Sequence, residues 1–149
     1  MDKIVFITGA SSGIGAGCAR KFASQGASLI LNARNVNKLS ALKEELEKQY
    51  GAKIYLLPFD VRDRKAATSA LESLPKEWQS IDILVNNAGL VIGTDKEQEG
   101  SLDEWDIVID TNIKALLAMT RLIVPGMVER KRGHIINIGY IAGDAAYPG

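Results

Sequence analysis

Thr8-Gly9-Ala10-Ser11-Ser12-Gly13-Ile14-Gly15 is the stretch of this sequence that decides the fold. It follows a short apolar run, Ile4–Ile7, which is typical of a buried strand, and it opens a segment with helical spacing of apolar residues, 13–25. Glycines permit a tight turn there and let the backbone approach a phosphate closely. The free N–H groups at the start of the helix favour the same anion. The stretch therefore predicts a phosphate-binding turn; the alternative is a turn that only packs closely.

Strand and helix alternate along the rest of the chain. Further strands are predicted by the apolar runs at 28–32, 54–58, 81–85 and 135–138. Helices are predicted by the amphipathic segments at 36–50, 63–74 and 101–132, the last with a break near 110–112. Such an alternation gives parallel strands in a sheet that helices cover on both faces. The sequence therefore predicts an α/β fold of three layers with about five strands.

Composition excludes several classes of partner. The 149 residues carry 18 basic and 18 acidic side chains, so the net charge is zero and offers no electrostatic attraction to nucleic acid or an anionic membrane. The most apolar long stretch, 115–128, is interrupted by polar residues and a proline, which argues against a membrane span. The single cysteine, Cys18, allows no intrachain disulfide, and the single histidine, His134, leaves no metal-ligand cluster. We expect a cytoplasmic protein without a metal site.

The end of the second predicted strand indicates which nucleotide would bind. An acidic residue at this point would hydrogen-bond a ribose 2′-hydroxyl, but the residues are Asn32-Ala33-Arg34-Asn35. The guanidinium of Arg34 suits a phosphate instead, and Ser11 or Ser12 could donate a hydrogen bond to it. The sequence thus predicts a 2′-phosphate, and NADP rather than NAD; the alternative is a surface arginine at a strand end.

Three more motifs lie at strand ends or within the long helical segment: Asp60-Val61, Asn86-Asn87-Ala88-Gly89 and Asp110-Thr111-Asn112. Together with the glycine stretch, they resemble the first part of a short-chain dehydrogenase/reductase over all 149 residues. The resemblance implies a Rossmann-type, doubly wound parallel sheet in the order 3-2-1-4-5. It also implies that residues 1–149 form a dinucleotide-binding domain that ends before the family's later strands.

Three stretches of the sequence resemble one branch of this family in particular. The stretches 74–78, 81–87 and 125–130 resemble the NADP-dependent branch that oxidises 3-hydroxy acids such as serine and allo-threonine.

The same resemblance implies a role for each motif. The residues expected along the pyrophosphate are Gly9, Ser12, Gly13, Ile14 and Gly15, with Arg34 near the 2′-phosphate. The residues expected at the adenine are Asp60, whose carboxylate would accept from the amine, and Val61, through its backbone. Those expected under the ribose are Asn87, Ala88 and Gly89. Asn112 matches an asparagine that holds a water in the family's proton relay.

Three of these roles have structural alternatives. Asp60 could instead cap the helix that opens at Asp63, and Asn112 could cap a broken helix. Asn86 and Asn87 could serve only the turn in which they lie.

The sequence departs from the family's pattern at the catalytic residues. In the family a tyrosine acts as general acid/base, a lysine four residues later lowers its pKa, and a serine donates to the substrate oxygen. Here Tyr140 stands at the serine position, and Tyr147 lies too soon after it, with no lysine following. Losing one such donor costs about 10²–10³ in turnover, and losing the acid/base about 10²–10⁴. We expect the 149-residue chain to be inactive or nearly so.

Three functions remain open from the sequence. The first is an NADP(H)-dependent oxidoreductase acting on a small hydroxy or keto substrate, and the others are a non-catalytic nucleotide-binding module and a structural fragment. We also expect a homo-oligomer, because one face of 113–128 should expose apolar surface. The residues on that face are Ile113, Leu116, Leu117, Thr120 and Val124.

Overall fold

A computed structural model of the chain describes residues 1–146 and contains a five-stranded sheet. The strands are β1 (Ile4–Ile7), β2 (Ser28–Leu31), β3 (Ile54–Leu56), β4 (Ile83–Asn86) and β5 (His134–Asn137). Their order is β3-β2-β1-β4-β5 and all four neighbouring pairs are parallel, which confirms the predicted sheet. From β1 to β3 each new strand is added on one side of β1, whereas β4 and β5 are added on its other side, so the order of strands reverses between β1 and β4. A ligand cleft forms at such a switch point, outside the carboxyl ends of the strands.

Within residues 1–146, five α-helices connect and cover the strands. They are α1 (Gly13–Ser24), α2 (Val36–Tyr50), α3 (Arg64–Glu72), α4 (Leu102–Ile109) and α5 (Ala115–Arg130). A π-helical turn, Asp110–Lys114, joins α4 to α5. The break predicted near 110–112 is therefore a widened turn in a continuous helical segment. Such turns occur often at functional sites.

The core lies in two layers, one on each face of the sheet. On the first face, α1 and α2 pack against apolar side chains of β1, β2 and β4, and Leu39, Leu42 and Leu46 of α2 are buried as predicted. On the second face, α3 and α5 pack against Phe6, Ile30 and Leu84. This alternation along each strand is what a sheet covered on both faces requires.

Helical spacing places Ile14, Cys18 and Phe22 on one face of α1, which predicts that this face is buried. The prediction was wrong for Ile14, which is 62% exposed. The residues that α1 buries are Gly15, Ala16, Ala19 and Ala23. These small side chains let the helix approach the sheet closely, and Ile14 is turned toward the carboxyl ends of the strands.

Helix N-termini differ in how their free N–H groups are satisfied. Asn35 Oδ1 accepts from Lys38 N at 3.0 Å and caps α2. Asp63 and Ser101 cap α3 and α4 in the same way. Within residues 1–146, no side chain caps α1 at Ser12. The N–H groups of its first turn are therefore left for another acceptor.

The apolar face predicted on 113–128 is exposed in part. Ile113 and Leu117 are 54% and 62% exposed, whereas Leu116, Thr120 and Val124 are half-buried. Over the described part of the chain, every helix is too short or too polar to cross a membrane.

Candidate functional site

A cleft of about 1140 Å³ opens along the carboxyl ends of the strands. Its wall contains nearly all the residues that the sequence motifs singled out. They are Gly9, Ser11, Ser12, Gly13, Ile14, Arg34, Asp60, Val61, Asn87, Ala88, Gly89, Asn112 and Tyr140. Motifs that are up to 131 positions apart in the chain therefore meet in one continuous cleft, because parallel strands bring their carboxyl ends to the same edge of the sheet.

The glycine loop has the backbone that its sequence requires. Gly9 and Gly13 have φ of +61° and +52°, in the left-handed region that glycine adopts without strain. A Cβ on Gly9 would lie 2.9 Å from Ala88 Cα, so the loop also approaches the end of β4 too closely for a side chain. A Cβ on Gly13 would meet no described heavy atom within 4 Å, because Gly13 faces the open cleft.

Gly15 differs from the other residues expected along the pyrophosphate, because it does not line the cleft. It is buried on the inner side of α1. A Cβ on it would collide with the carbonyl oxygen of Gly9 and would lie 2.5 Å from Asn87 Nδ2. The packing of the helix against the loop is therefore enough to require glycine here, and a role of Gly15 at the pyrophosphate stays a prediction.

Thr8 is a residue of the site to which the sequence motifs assigned no role. It is buried, and its Oγ1 accepts from Asn87 N at 3.0 Å and from Ala88 N at 2.9 Å. The same hydroxyl donates to the carbonyl of Val85. Asn87 Nδ2 in turn donates to the carbonyls of Thr8 and Gly9 at 3.2 and 3.0 Å. The glycine loop and the end of β4 thus form one hydrogen-bonded unit. The signal in the sequence that could have indicated Thr8 was a polar side chain directly after a buried strand.

This unit fits a bound phosphate. The first turn of α1 has no acidic residue, and its N–H groups point toward the cleft without a capping side chain from residues 1–146. Gly13 leaves open space in front of them. A phosphate there would satisfy donors that the protein leaves unsatisfied, and the helix dipole would add to the attraction.

The far end of the cleft lies at the ends of β2 and β3. Arg34 is exposed there, and Lys38, which the sequence motifs did not indicate, lies on the first turn of α2 and also lines the cleft. Asn32 is buried and its Nδ2 donates to the carbonyls of Leu57 and Phe59 at 3.0 and 3.1 Å. Asn32 therefore joins the ends of the two strands and fixes the backbone that leads to Asp60.

Asp60 is held by Arg62. The guanidinium Nη2 donates to Oδ2 at 2.8 Å, and Nε lies 3.2 Å from both carboxylate oxygens. These hydrogen bonds lower the pKa of the Asp60 carboxyl below its ordinary value, and the charge of Arg34 acts in the same direction. The cap of α3 is Asp63, so the alternative role of Asp60 as that cap is excluded. Val61, beside it, is buried against the second core layer.

The two asparagines after β4 have different partners. Asn86 Nδ2 donates to Thr120 Oγ1 and to Asn137 Oδ1, both at 3.0 Å, which joins β4 to α5 and β5. Asn87 instead binds the glycine loop, and both asparagines line the cleft. The structural alternative therefore describes each of them in part.

Asn112 clamps the loop that follows β4. Its Oδ1 accepts from Leu90 N at 2.8 Å and its Nδ2 donates to the carbonyl of Leu90 at 2.7 Å. The alternative role as a helix cap is wrong, because both ends of the amide bind this loop and the helical segment continues through the π turn. Its role with a water molecule stays a prediction.

Tyr140 lies in the wall of the cleft just after β5 and is 66% exposed. A phenol reaches several bonds farther from the backbone than a serine hydroxyl, so it cannot donate from the same point. Tyr147, which the sequence analysis also considered, lies outside the described residues.

Comparison with known proteins adds independent observations. A model of the short chain dehydrogenase family matches residues 3–149. The NADP-dependent 3-hydroxy acid dehydrogenase YdfG of Escherichia coli O6:H1 is 48% identical over 146 residues, which are 98% of this chain and 57% of that protein. The chain therefore spans little more than half the length of this curated relative.

Solved structures agree with the sheet order. The crystal structure of serine dehydrogenase from Escherichia coli has a TM-score of 0.92 and 48% identity, covering 98% of this chain and 66% of that one. The closed form of serine dehydrogenase complexed with NADP⁺ has a TM-score of 0.90 and 46% identity, covering 98% and 57%. With four motifs united in one cleft and a family model matching residues 3–149, the chain belongs to the short-chain dehydrogenase family.

Proposed function

We propose that this chain binds NADP(H) in the cleft and serves as the cofactor-binding part of a short-chain oxidoreductase. The observation that carries the proposal is the continuity of the cleft, which joins the uncapped N-terminus of α1 to Arg34 and Asp60. The N-terminus of α1 suits the pyrophosphate, the guanidinium of Arg34 suits the 2′-phosphate, and the carboxylate of Asp60 suits the adenine amine.

Each part of the cofactor has residues of this chain to hold it. The N–H groups at the start of α1, with Ser11 and Ser12 nearby, would bind the pyrophosphate. Arg34 would bind the 2′-phosphate, with Lys38 adding positive charge. Asp60 would accept from the adenine amine, and the turn 87–89 would lie under the ribose. NADP(H), when bound, supplies or accepts the hydride.

The substrate class follows from the relatives. The names of two of them describe dehydrogenases acting on 3-hydroxy acids and on serine. We propose a small 3-hydroxy acid, or the matching keto acid, as the substrate of the oxidoreductase to which this chain corresponds. The cytoplasmic location stays a prediction.

The second candidate is a nucleotide-binding module without turnover, and Tyr140 favours it for the 149-residue chain. Within these 149 residues no tyrosine is followed four positions later by a lysine, and Tyr140 replaces the short donor. The acid/base role of the family's tyrosine depends on that lysine. We therefore propose that the 149-residue chain binds NADPH without oxidising or reducing a substrate.

Titration with NADPH, followed by its fluorescence, tests the cofactor proposal. We expect saturable binding that is tighter for NADPH than for NADH. Arg34→Ala should weaken NADPH binding by about 10–100-fold, the value of a charge-assisted hydrogen bond, and leave NADH binding unchanged. The matched control is Arg20→Ala, because Arg20 is an equally exposed arginine that pairs with Glu45 away from the cleft. NADPH binding that is no tighter than NADH binding, or that ignores Arg34→Ala, contradicts the 2′-phosphate assignment.

Turnover separates the remaining candidates. NADP⁺ and serine are added to the same preparation and NADPH formation is followed by absorbance. Binding with turnover supports an active enzyme, and binding alone supports the module. No binding of either dinucleotide leaves only the structural fragment.

We further propose that the chain associates with copies of itself through the exposed part of the apolar face of residues 113–128, at Ile113 on the π turn and Leu117 on α5. Sedimentation velocity over a range of concentrations tests this. A species that stays monomeric at the highest concentration contradicts it, and Leu117→Glu should shift an oligomer toward monomer.

A further inference from the structure

The carboxylate of Asp60 is largely occupied by its neighbour Arg62. A carboxylate offers about four lone-pair sites. Three N–H groups of Arg62 contact them: the backbone N reaches Oδ1 at 3.0 Å, Nη2 reaches Oδ2 at 2.8 Å, and Nε shares its one hydrogen between Oδ1 and Oδ2 at 3.2 Å each. A donor that approaches from the side of the guanidinium can bind Asp60 only if one of these contacts is given up.

This occupancy conflicts with the role of Asp60 in the proposed function, where the adenine amine donates to the same carboxylate. The amine and the guanidinium are both donors and cannot share the same lone pair. Arg62 also lines the cleft, beside the carboxylate that it holds.

We propose that Arg62 is a specificity-determining residue of the cleft: its guanidinium occupies Asp60 until an adenine amine displaces it. This inference rests on the proposed function. Only the guanidinium would leave. The backbone N of Arg62 keeps its contact with Oδ1, so the amine would take Oδ2.

The surroundings make such a displacement feasible. The side chains of Arg62 and Asp60 are 30% and 32% exposed, so solvent can take up the guanidinium when it leaves. Asp110, on the π turn and paired with Lys114, adds a further negative charge that acts on Arg62. The cap of α3 comes from Asp63, so the helix does not depend on the ion pair.

The test compares NADPH with its analogue that carries hypoxanthine in place of adenine, using nicotinamide fluorescence for both. The analogue has a carbonyl oxygen where adenine has its amine, and shares the phosphates and ribose. The quantity measured is the ratio of the Kd of the analogue to the Kd of NADPH. In the wild-type chain this ratio should be small, because Arg62 occupies Asp60 and can itself donate to the hypoxanthine oxygen.

Arg62→Met removes the guanidinium and keeps an unbranched side chain of similar reach. We expect it to raise the ratio about fivefold, the size of a surface ion pair, because Asp60 then accepts from adenine without competition. Arg62→Lys, which keeps the charge but not the fork, should give an intermediate ratio. Arg62→Met combined with Asp60→Ala should return the ratio to the wild-type value.

The control is Arg64→Met, which removes the same charge two residues away, at an exposed arginine that makes none of the contacts to Asp60. The ratio should not change in this variant. An unchanged ratio in Arg62→Met, with NADPH still bound, overturns the inference and leaves the proposed function standing. An equal rise in Arg64→Met overturns it as a general charge effect. Absence of NADPH binding by the wild-type chain overturns the proposed function, and this inference with it.

Discussion

The middle and the rim of the cleft are stabilised in different ways. We use "middle" for the unit made by Thr8, Gly9, Gly15 and Asn87, and "rim" for Asp60, Arg62, Leu90, Asn112 and Tyr140. In the middle, one hydroxyl and one amide bind backbone groups of two central strands, and Thr8 is buried. On the rim, the contacts are side-chain pairs or a single clamp on an exposed loop.

Because of this difference, the middle and the rim differ in how freely their side chains can rearrange. A buried polar group that loses its partner is left unsatisfied and cannot turn to water, so the middle must stay rigid. A pair that is about one-third exposed exchanges its partner for water at small cost, so the rim can rearrange when a ligand binds. Changes in the middle should therefore appear in the free energy of unfolding, and changes on the rim in binding and local motion.

The largest effect is expected for Gly15→Ala. Its Cβ would collide with the Gly9 carbonyl and Asn87 Nδ2, neither of which can move without breaking the middle. The free energy of unfolding should fall by about 3 kcal/mol, the upper end for overpacking. Urea denaturation measures it.

The matched control lies two residues along the same helix. A Cβ on Gly17 meets no described heavy atom within 4 Å, so Gly17→Ala should raise the free energy of unfolding, by up to about 1 kcal/mol. Equal effects of the two substitutions would mean that α1 does not pack on the loop as described.

Thr8→Val is expected to have the next largest effect. Valine keeps the shape but removes the oxygen that accepts from the N–H groups of Asn87 and Ala88. Two buried donors lose their acceptor, so the free energy of unfolding should fall by about 2–3 kcal/mol. Thr68→Val on α3 is the control, since the hydroxyl of Thr68 donates only to the carbonyl of Arg64 within its own helix. Thr68→Val should lower the free energy of unfolding by less than roughly 0.5 kcal/mol, as is typical of such a site. A similar loss at both positions would contradict the special role of Thr8.

The sequence predicted the middle and the rim to different extents. Alternating strands and helices predicted a parallel sheet covered on both faces, and the order of its strands was what the resemblance to a known family implied. The glycine spacing predicted a loop whose backbone glycine fits without strain. Arg34 was found because a strand end is a fixed place in such a fold. Gly15 was assigned to the ligand because glycine spacing alone does not distinguish a close ligand from a close helix.

The rim was harder to predict because its contacts depend on side-chain geometry. Nothing in the order Asp60-Val61-Arg62 distinguishes a carboxylate free for a ligand from one held by its neighbour two residues on. Asn112 and Leu90 are 22 residues apart, and their contact follows from where the π turn lies against the loop. The inward face of α1 was misjudged because apolar size was taken as the signal, whereas small residues make that contact.

Asn112→Ala tests the clamp on the rim. The N–H and carbonyl of Leu90 lose their partners but lie near solvent, so the free energy of unfolding should fall by only about 1 kcal/mol. Hydrogen exchange of the Leu90 amide should accelerate far more than exchange in β1. Asn37→Ala on the exposed surface of α2 is the control and should leave Leu90 unaffected. Unchanged protection of Leu90 would show that the loop is held by other contacts.

The smallest effect on stability is expected for Asp60→Asn, and it should depend on pH. Arg62 lowers the pKa of Asp60 in the folded chain, so the ionised carboxylate stabilises the fold above the pKa of the unfolded state. That contribution is lost as the pH falls through the lowered folded pKa. Because the pair is about one-third exposed, the difference between wild type and variant near neutral pH should be about 1 kcal/mol or less.

Unfolding in urea at a series of pH values from ~7 to ~3 measures this difference. It should shrink toward zero at the acidic end, and it should be absent at every pH when Arg62→Met is present in both chains. A difference of several kcal/mol at neutral pH would place Asp60 with the rigid middle of the cleft. The ion pair could then not open for an adenine at small cost. A small difference that fades in acid, together with the large loss from Thr8→Val, would instead show that one cleft combines a rigid centre with a rim whose side chains can change partners.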